Sequence, residues 1–280
     1  MTRLANRARW AAGIAAAATA AGYWSMMSPY SQLLGPFPHR ADTADKVIAL
    51  TFDDGPNEPY TSQIADLLAQ AGIRATFFQV GQCVQRFPEV TARLVRDGHI
   101  IGNHSHSHRV TRCLRTDAQR AETLAAQHTL TTVIGRAPAL YRPPWLLRTP
   151  TLPAVLHRNG LSPVSGEFCH AFEVFQPPPS WIARRALAKA RPGAILIFHD
   201  GFDARGGHRG NTVAAVRIVI TELTRRGYRF VTVDDLLGIP AYHAGEGHTD
   251  REERGHGSPR LRSETLTQAG EGPRRSRGIA

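Results

Sequence analysis

Residues 46–56 read Lys-Val-Ile-Ala-Leu-Thr-Phe-Asp-Asp-Gly-Pro. Val47–Phe52 is an apolar, β-prone run of strand length. Asp53 and Asp54 follow at once, and Gly55-Pro56 ends the strand. Successive strand side chains point to opposite faces. Two adjacent carboxylates therefore serve one site only where a strand stops, as this one does. The plain alternative is an ordinary Asp-Asp-Gly-Pro turn.

Around this strand, as far as Pro240, strand-like runs alternate with helical patterns. The strand candidates are Val47–Phe52, Ala75–Val80, Ile100–Asn103, Ala139–Arg142, Ser162–Glu167, Ala194–Phe198 and Phe230–Val233. Between them Ser62–Ala71, Pro88–Asp97, Asp117–Ile134, Thr151–Asn159, Trp181–Ala190 and Thr212–Arg226 carry apolar residues at helical spacing. Gly72, Gly98, Gly135, Gly160 and Gly227 follow five of these segments, where a C′ glycine belongs. The pattern predicts an α/β fold with a parallel sheet, open or closed into a barrel. Functional residues are then expected at the C-terminal ends of strands.

Those ends carry chemistry. After the third strand comes Asn103-His104-Ser105-His106-Ser107-His108. On a helical turn His104 and His108 share one side, a spacing that suits two ligands of a divalent metal, and an Asp from the first strand would complete the set. His106 falls between them and points away. The fourth strand ends in Arg142-Pro143-Pro144-Trp145, where two prolines fix an indole that could stack on a sugar ring or be structural. The sixth strand runs into His199-Asp200-Gly201, and a His there can give or take a proton near neutral pH.

The termini differ from the body. Arg3, Arg7 and Arg9 precede an apolar stretch from Trp10 that carries no charge before Arg40. Basic then apolar is the order of a secretory signal, with Ala18-Thr19-Ala20 as a cleavage site. An uncleaved membrane anchor, Trp10–Tyr30, is the alternative. Either reading places the body outside the cytoplasm, secreted or membrane-anchored. The expected organisation is a signal or anchor over 1–30, a linker over 31–45, one domain over 46–240, and a disordered Gly- and Arg-rich tail over 241–280. The 280 residues are 42% hydrophobic and 20% charged, which excludes a wholly disordered or fibrous chain. The net charge of +11 rests on Arg, with Lys46 and Lys189 the only lysines. The basic residues form no block and do not interleave with aromatics, which argues against a nucleic-acid partner. Cys83, Cys113 and Cys169 share no CxxC spacing and argue against a thiolate metal site or a disulfide framework.

The order Thr-Phe-Asp-Asp-Gly-Pro, His-Ser-His-Ser-His, Arg-Pro-Pro-Trp, Leu-Ile-Phe-His-Asp resembles the polysaccharide deacetylase family, the NodB-homology domain of carbohydrate esterase family 4, over roughly Lys46 to Leu237. The resemblance implies a distorted (β/α)7-type barrel and one divalent metal ion, zinc first, with cobalt or manganese as alternatives. It implies removal of acetyl groups from an acetylated polysaccharide, chiefly the N-acetyl of GlcNAc units in peptidoglycan or chitin-like chains. By position, Asp53 is the general base, and Asp54, His104 and His108 are the metal ligands. Ser105 steadies the histidine loop, and Arg142 supports the base. Trp145 and Pro144 shape the sugar groove, and the Trp145 N–H meets the oxyanion. His199 is the general acid, and Ile197 lines the acetyl-methyl pocket.

The chain departs from the family pattern at its fourth motif. Glu173-Val174 stands where an Asp-Trp pair is usual, 26 residues before His199. Glu173 is expected to orient the imidazole, with Glu167 as a second candidate carboxylate. The stacking Trp is missing, although Trp181 is near in sequence, and Leu146 replaces a usual Gly. A non-catalytic glycan-binding protein on a decayed deacetylase fold is the rival that Glu173-Val174 favours. The expected oligomeric state is a monomer.

Overall fold

The computed structural model describes residues 2–168 and 171–244. Eight strands form the frame: β1 Val47–Asp53, β2 Thr76–Gln79, β3 Ile100–Asn103, β4 Leu140–Tyr141, β5 Ser162–Pro163, β6 Glu167–Phe168, β7 Ile195–His199 and β8 Arg229–Phe230. They lie in the order β5-β4-β3-β2-β1-β7-β6, with β8 beside the first residues of β1, and every pairing is parallel. Helices Tyr60–Gln70, Pro88–Arg96, Thr116–Ile134, Leu152–Arg158, Pro179–Lys189 and Gly210–Arg225 fall on the six expected segments. The five glycines expected behind helices all adopt positive φ. A short helix, Gly81–Arg86, was not legible in the pattern.

The expected strand Ser162–Glu167 is in fact two, at opposite edges of the sheet. Pro163 has no N–H with which to extend the ladder. After it, Val164 N–H donates to Tyr141 O, and Ser165 N–H turns away to Pro38 O (2.8 and 2.9 Å). Only residues 164–166 join the two edges, and three residues reach at most about 10 Å. The sheet must therefore curl until its edges approach, and Arg142 bridges them by donating to Ser165 O at 2.9 Å. The result is a distorted, incompletely closed (β/α) barrel.

Alternation along β1 sorts its side chains. Ile48, Leu50 and Phe52 enter the main core under the helices, where Phe52 stacks on Phe77 and Phe198. Thr51 and Asp53 take the other face, where Arg142 reaches both. The interior face is polar only toward the C-terminal strand ends; deeper, Ala49, Phe78, Leu140 and Ile195 form a second buried apolar cluster.

The folded body is larger than 46–240. Residues 31–45, expected to be a linker, pack instead: Phe37 is buried with Tyr141, Leu152, Leu156 and Leu161. Behind Pro240, Ala139 donates to Ala241 O, His243 donates to Ala137 O, and the Tyr242 hydroxyl accepts the Ile101 N–H at 3.1 Å. Composition announces neither contact, because both join residues far apart in sequence. The N-terminal helix, Thr2–Met27, precedes the packed segment. No helix among the described residues is long and apolar enough to cross a membrane. Cys169 and the tail from residue 245 lie outside the described residues.

Candidate metal and catalytic site

The strand register sets the site. Asp53, the last residue of β1, lies opposite His199, the last residue of β7. Arg142 donates to Asp53 Oδ1 at 2.7 Å and to Thr51 Oγ1 at 2.7 Å, and it lies over the Phe78 ring. The guanidinium is fully buried, and burial lowers its pKa against the opposing pull of Asp53. Asp54 leaves the strand with φ 76°, so its carboxylate turns to the same strand end as that of Asp53. Gly55 is required by close approach: a Cβ there would stand 2.0 Å from Asp200 Oδ2. Asp200 accepts the Thr61 hydroxyl at 2.5 Å, and burial pushes its carboxyl up to about 7.

Asp54 Oδ1 is the meeting point of the two histidines, 3.3 Å from His104 Nε2 and 3.1 Å from His108 Nε2. Among the described residues these three form the one group of His, Cys, Asp and Glu able to hold a metal ion. The i, i+4 pair does not sit on a helical turn, as its spacing suggested. Ser105 and His108 have φ of 64° and 50°, and this loop brings the rings to 5.0 Å between centroids. Ser105 fixes the loop, since its hydroxyl accepts the His108 N–H at 3.2 Å. His106 turns away and packs over Gly81.

The donor set fits a cation. His104 Nδ1 lies 2.7 Å from the Arg142 carbonyl, which can only accept, so Nδ1 carries the proton. In the neutral ring Nε2 then directs a lone pair at the Asp54 carboxylate. Asp54 Oδ1 is buried with no hydrogen-bond partner. Acceptors turned toward one another at that distance are stabilised by a positive charge among them. Burial alone would raise the Asp54 carboxyl, but the His108 and His104 rings in their charged form hold it far below the usual carboxylate range. His108 Nδ1 stands 2.9 Å from Asp203 Oδ1 in a bent approach, not a straight hydrogen bond. Asp203 also donates its N–H to Asp54 Oδ2 at 3.1 Å.

His199, with one-fifth of its side chain exposed, has Nδ1 at 3.0 Å from Glu173 Oε2. Glu173 Oε1 accepts the His199 backbone N–H at 3.2 Å and the Thr212 hydroxyl at 2.8 Å. Burial lowers the imidazole pKa, yet the Glu173 hydrogen bond and the nearby carboxylates of Glu173, Asp54 and Asp53 override it and lift it to about 9. Glu167 is engaged elsewhere, by the Tyr30 hydroxyl at 2.7 Å and by Arg191.

A cleft of about 600 Å³ opens over Asp53, Asp54, His104, His108 and His199. Trp145 lines it, with φ 53° and its ring 4.2 Å from that of His108. Pro144 and Ile197 do not reach the wall: both are buried. Ile197 precedes His199 by two residues on the same strand face and lies deeper, close to Gly166. Trp181 packs against the main core, so it does not replace the missing aromatic. Leu146, Phe168, Phe175 and Phe202 line the cleft instead. Sequence reasoning missed Asp203 and the lining residues Tyr23 and Trp24. The first carries no spacing signal, and the others sit in a stretch that reads only as a signal or anchor.

Residues 40–164 match the polysaccharide deacetylase family profile. The chain is 34% identical over 200 residues to a peptidoglycan-N-acetylglucosamine deacetylase of Bacillus cereus, covering 69% of this chain and 89% of that protein. It is 32% identical over 197 residues to a chitooligosaccharide deacetylase of Azorhizobium caulinodans, covering 65% and 90%. The crystal structure of the Bc1960 peptidoglycan N-acetylglucosamine deacetylase superposes with a TM-score of 0.68 at 27% identity, over 73% of this chain and 94% of that one.

Proposed function

The chain belongs to the polysaccharide deacetylase family, which makes it a hydrolase of carbon–nitrogen bonds other than peptide bonds, and from that premise we propose that it removes the N-acetyl group of GlcNAc units in peptidoglycan or a chitin-like glycan. The observation that carries this reading is the pairing of Asp53 with His199 across β1 and β7, beside the Asp54, His104 and His108 cluster.

Amide hydrolysis needs an activated water, a stabilised oxyanion and a protonated leaving nitrogen. Asp54, His104 and His108 would hold one divalent ion, zinc first, by chemistry that suits two imidazoles and a carboxylate. Such an ion lowers the pKa of bound water toward ~7 and polarises the carbonyl. Asp53 accepts the proton of the attacking water, its carboxylate held by Arg142. The Trp145 N–H faces the developing oxyanion, a contact whose loss costs roughly 10²–10³ in rate. His199, protonated through its pairing with Glu173, gives its proton to the nitrogen as the C–N bond breaks. Acid and base are separate residues, so each keeps the state its task needs. The rival non-catalytic reading rested on Glu173-Val174, and the Glu173 contact with His199 weighs against it. The N-terminal order of arginines and apolar residues supports a location outside the cytoplasm, where cell-wall glycan lies.

The direct experiment is acetate release from acetylated peptidoglycan, chitooligosaccharides and xylan, with and without a chelator. Release from GlcNAc polymers that a chelator abolishes is the expected result. No release from any of the three would overturn the reading.

A further inference from the structure

One wall of the cleft does not come from the barrel. Tyr23 and Trp24, near the end of the N-terminal helix, line the same cavity as Asp53, Asp54 and His199. They are 67% and 55% exposed, and Trp145 is 38% exposed. Large aromatic surfaces left in water at the mouth of a reactive cleft mark a binding surface.

The helix end is held in place. Arg148 is fully buried, and its backbone N–H donates to Met26 O at 2.8 Å. Its guanidinium donates to Ser28 O and, at 3.2 Å, to Pro29 O. Ser165 donates its hydroxyl to the same Pro29 carbonyl at 2.8 Å. The Tyr30 hydroxyl donates to Glu167 and accepts from Lys189 (2.7 and 2.8 Å). Arg148 lies three residues after Trp145, so the loop that presents Trp145 to the cleft also grips the segment behind Trp24.

We propose that Trp24, with Tyr23, forms a sugar-stacking subsite that extends the cleft to a neighbouring unit of the glycan, so that the segment before the barrel selects for chain length. The proposal rests on the deacetylase reading above. A pyranose ring offers a C–H face to an indole while its hydroxyls stay in water, and a neutral GlcNAc unit brings no charge to desolvate. A lipid is the other ligand that exposed Trp and Tyr serve. An acyl chain in this cleft would lie against the carboxylates of Asp53 and Asp54 and strip their water, which is costly.

The test compares the full chain with its Trp24→Ala, Tyr23→Ala and Trp24→Phe variants. kcat/KM is measured on the acetylated GlcNAc hexasaccharide and on the GlcNAc monosaccharide, which has no neighbouring unit. A stacked aromatic contributes enough that Trp24→Ala should lower the hexasaccharide-to-monosaccharide preference about three- to tenfold, with Trp24→Phe restoring most of it. An unchanged preference overturns the subsite. A second arm titrates the hexasaccharide into Asp53→Asn and into Asp53→Asn with Trp24→Ala. Trp24-dependent binding without any wild-type acetate release would sink the deacetylase reading and leave the subsite standing. If wild type neither binds nor deacetylates any GlcNAc oligomer, both fall. If Trp24→Ala weakens only attachment to phosphatidylglycerol–phosphatidylcholine vesicles, the aromatic pair serves a membrane and the subsite is wrong.

Discussion

Glu173 meets His199 twice, with Oε2 at 3.0 Å from the ring Nδ1 and Oε1 at 3.2 Å from the backbone nitrogen. The carboxylate therefore sets both the position of the imidazole and its proton on Nδ1, leaving Nε2 free to address the cleft. The pairing also lifts the ring to about 9 against the effect of burial. A general acid works only while protonated, so kcat should hold below that value and fall as pH rises through it. Glu173→Gln removes the charge that opposes burial. Its alkaline limb should move to lower pH, and kcat should drop roughly tenfold or more while KM changes little. Glu173→Asp should retain more activity than Glu173→Gln. pH profiles of the three proteins check this, and an unmoved alkaline limb in Glu173→Gln would remove Glu173 from the role.

Asp53→Asn should bind metal as wild type does and turn over at under a hundredth of its rate. Asn keeps the shape and can still accept from Arg142, but it cannot take the proton of water; loss of a general base costs roughly 10²–10⁴. Metal content and single-turnover rate decide it. More than a tenth of wild-type turnover would exclude Asp53 as the base.

His104→Ala and His108→Ala should each strip the ion from a site expected to hold one per chain. Metal analysis after dialysis measures it. If both variants keep full metal, the ligands lie elsewhere.

Asp203 touches two of the three candidate ligands, through its carboxylate to His108 and its N–H to Asp54. Groups that orient metal ligands typically contribute 10–100-fold to affinity. Asp203→Ala should weaken metal binding by about that factor in a chelator competition, and Asp203→Asn should fall between it and wild type. Wild-type affinity in Asp203→Ala would show the contact to be incidental.

Gly55→Ala should destabilise the fold, because its methyl would lie 2.0 Å from Asp200 Oδ2, which the Thr61 hydroxyl holds in place. Overpacking of this kind costs about 1–3 kcal/mol. The midpoint of denaturant unfolding reports it, and Asp200→Ala in the same chain should recover part of the loss. An unchanged midpoint for Gly55→Ala would contradict the clash.

What the sequence by itself determined is local. Val47–Phe52 read as a strand, ended by Gly55-Pro56 beside two carboxylates. Helical spacing, with a glycine behind five of the six, placed the helices that alternate with the strands to within two residues. The motif residues Asp53, Asp54, His104, His108, Arg142 and His199 followed from their places at strand ends. The tertiary structure decided whatever joins residues distant in the chain. It split Ser162–Glu167 between opposite edges of the curled sheet, and it drew residues 28–39 onto Arg148 and Ser165. It aimed the two histidines through left-handed loop residues rather than a helix. It brought Asp203 to His108 and Trp24 to the cleft, and it set Ile197 beneath the site rather than in its wall. The physical reason is one of range. Periodicity and turn chemistry act over a few residues and are written in neighbouring letters, whereas a contact across more than a hundred residues depends on how the curled sheet closes, which no short segment encodes.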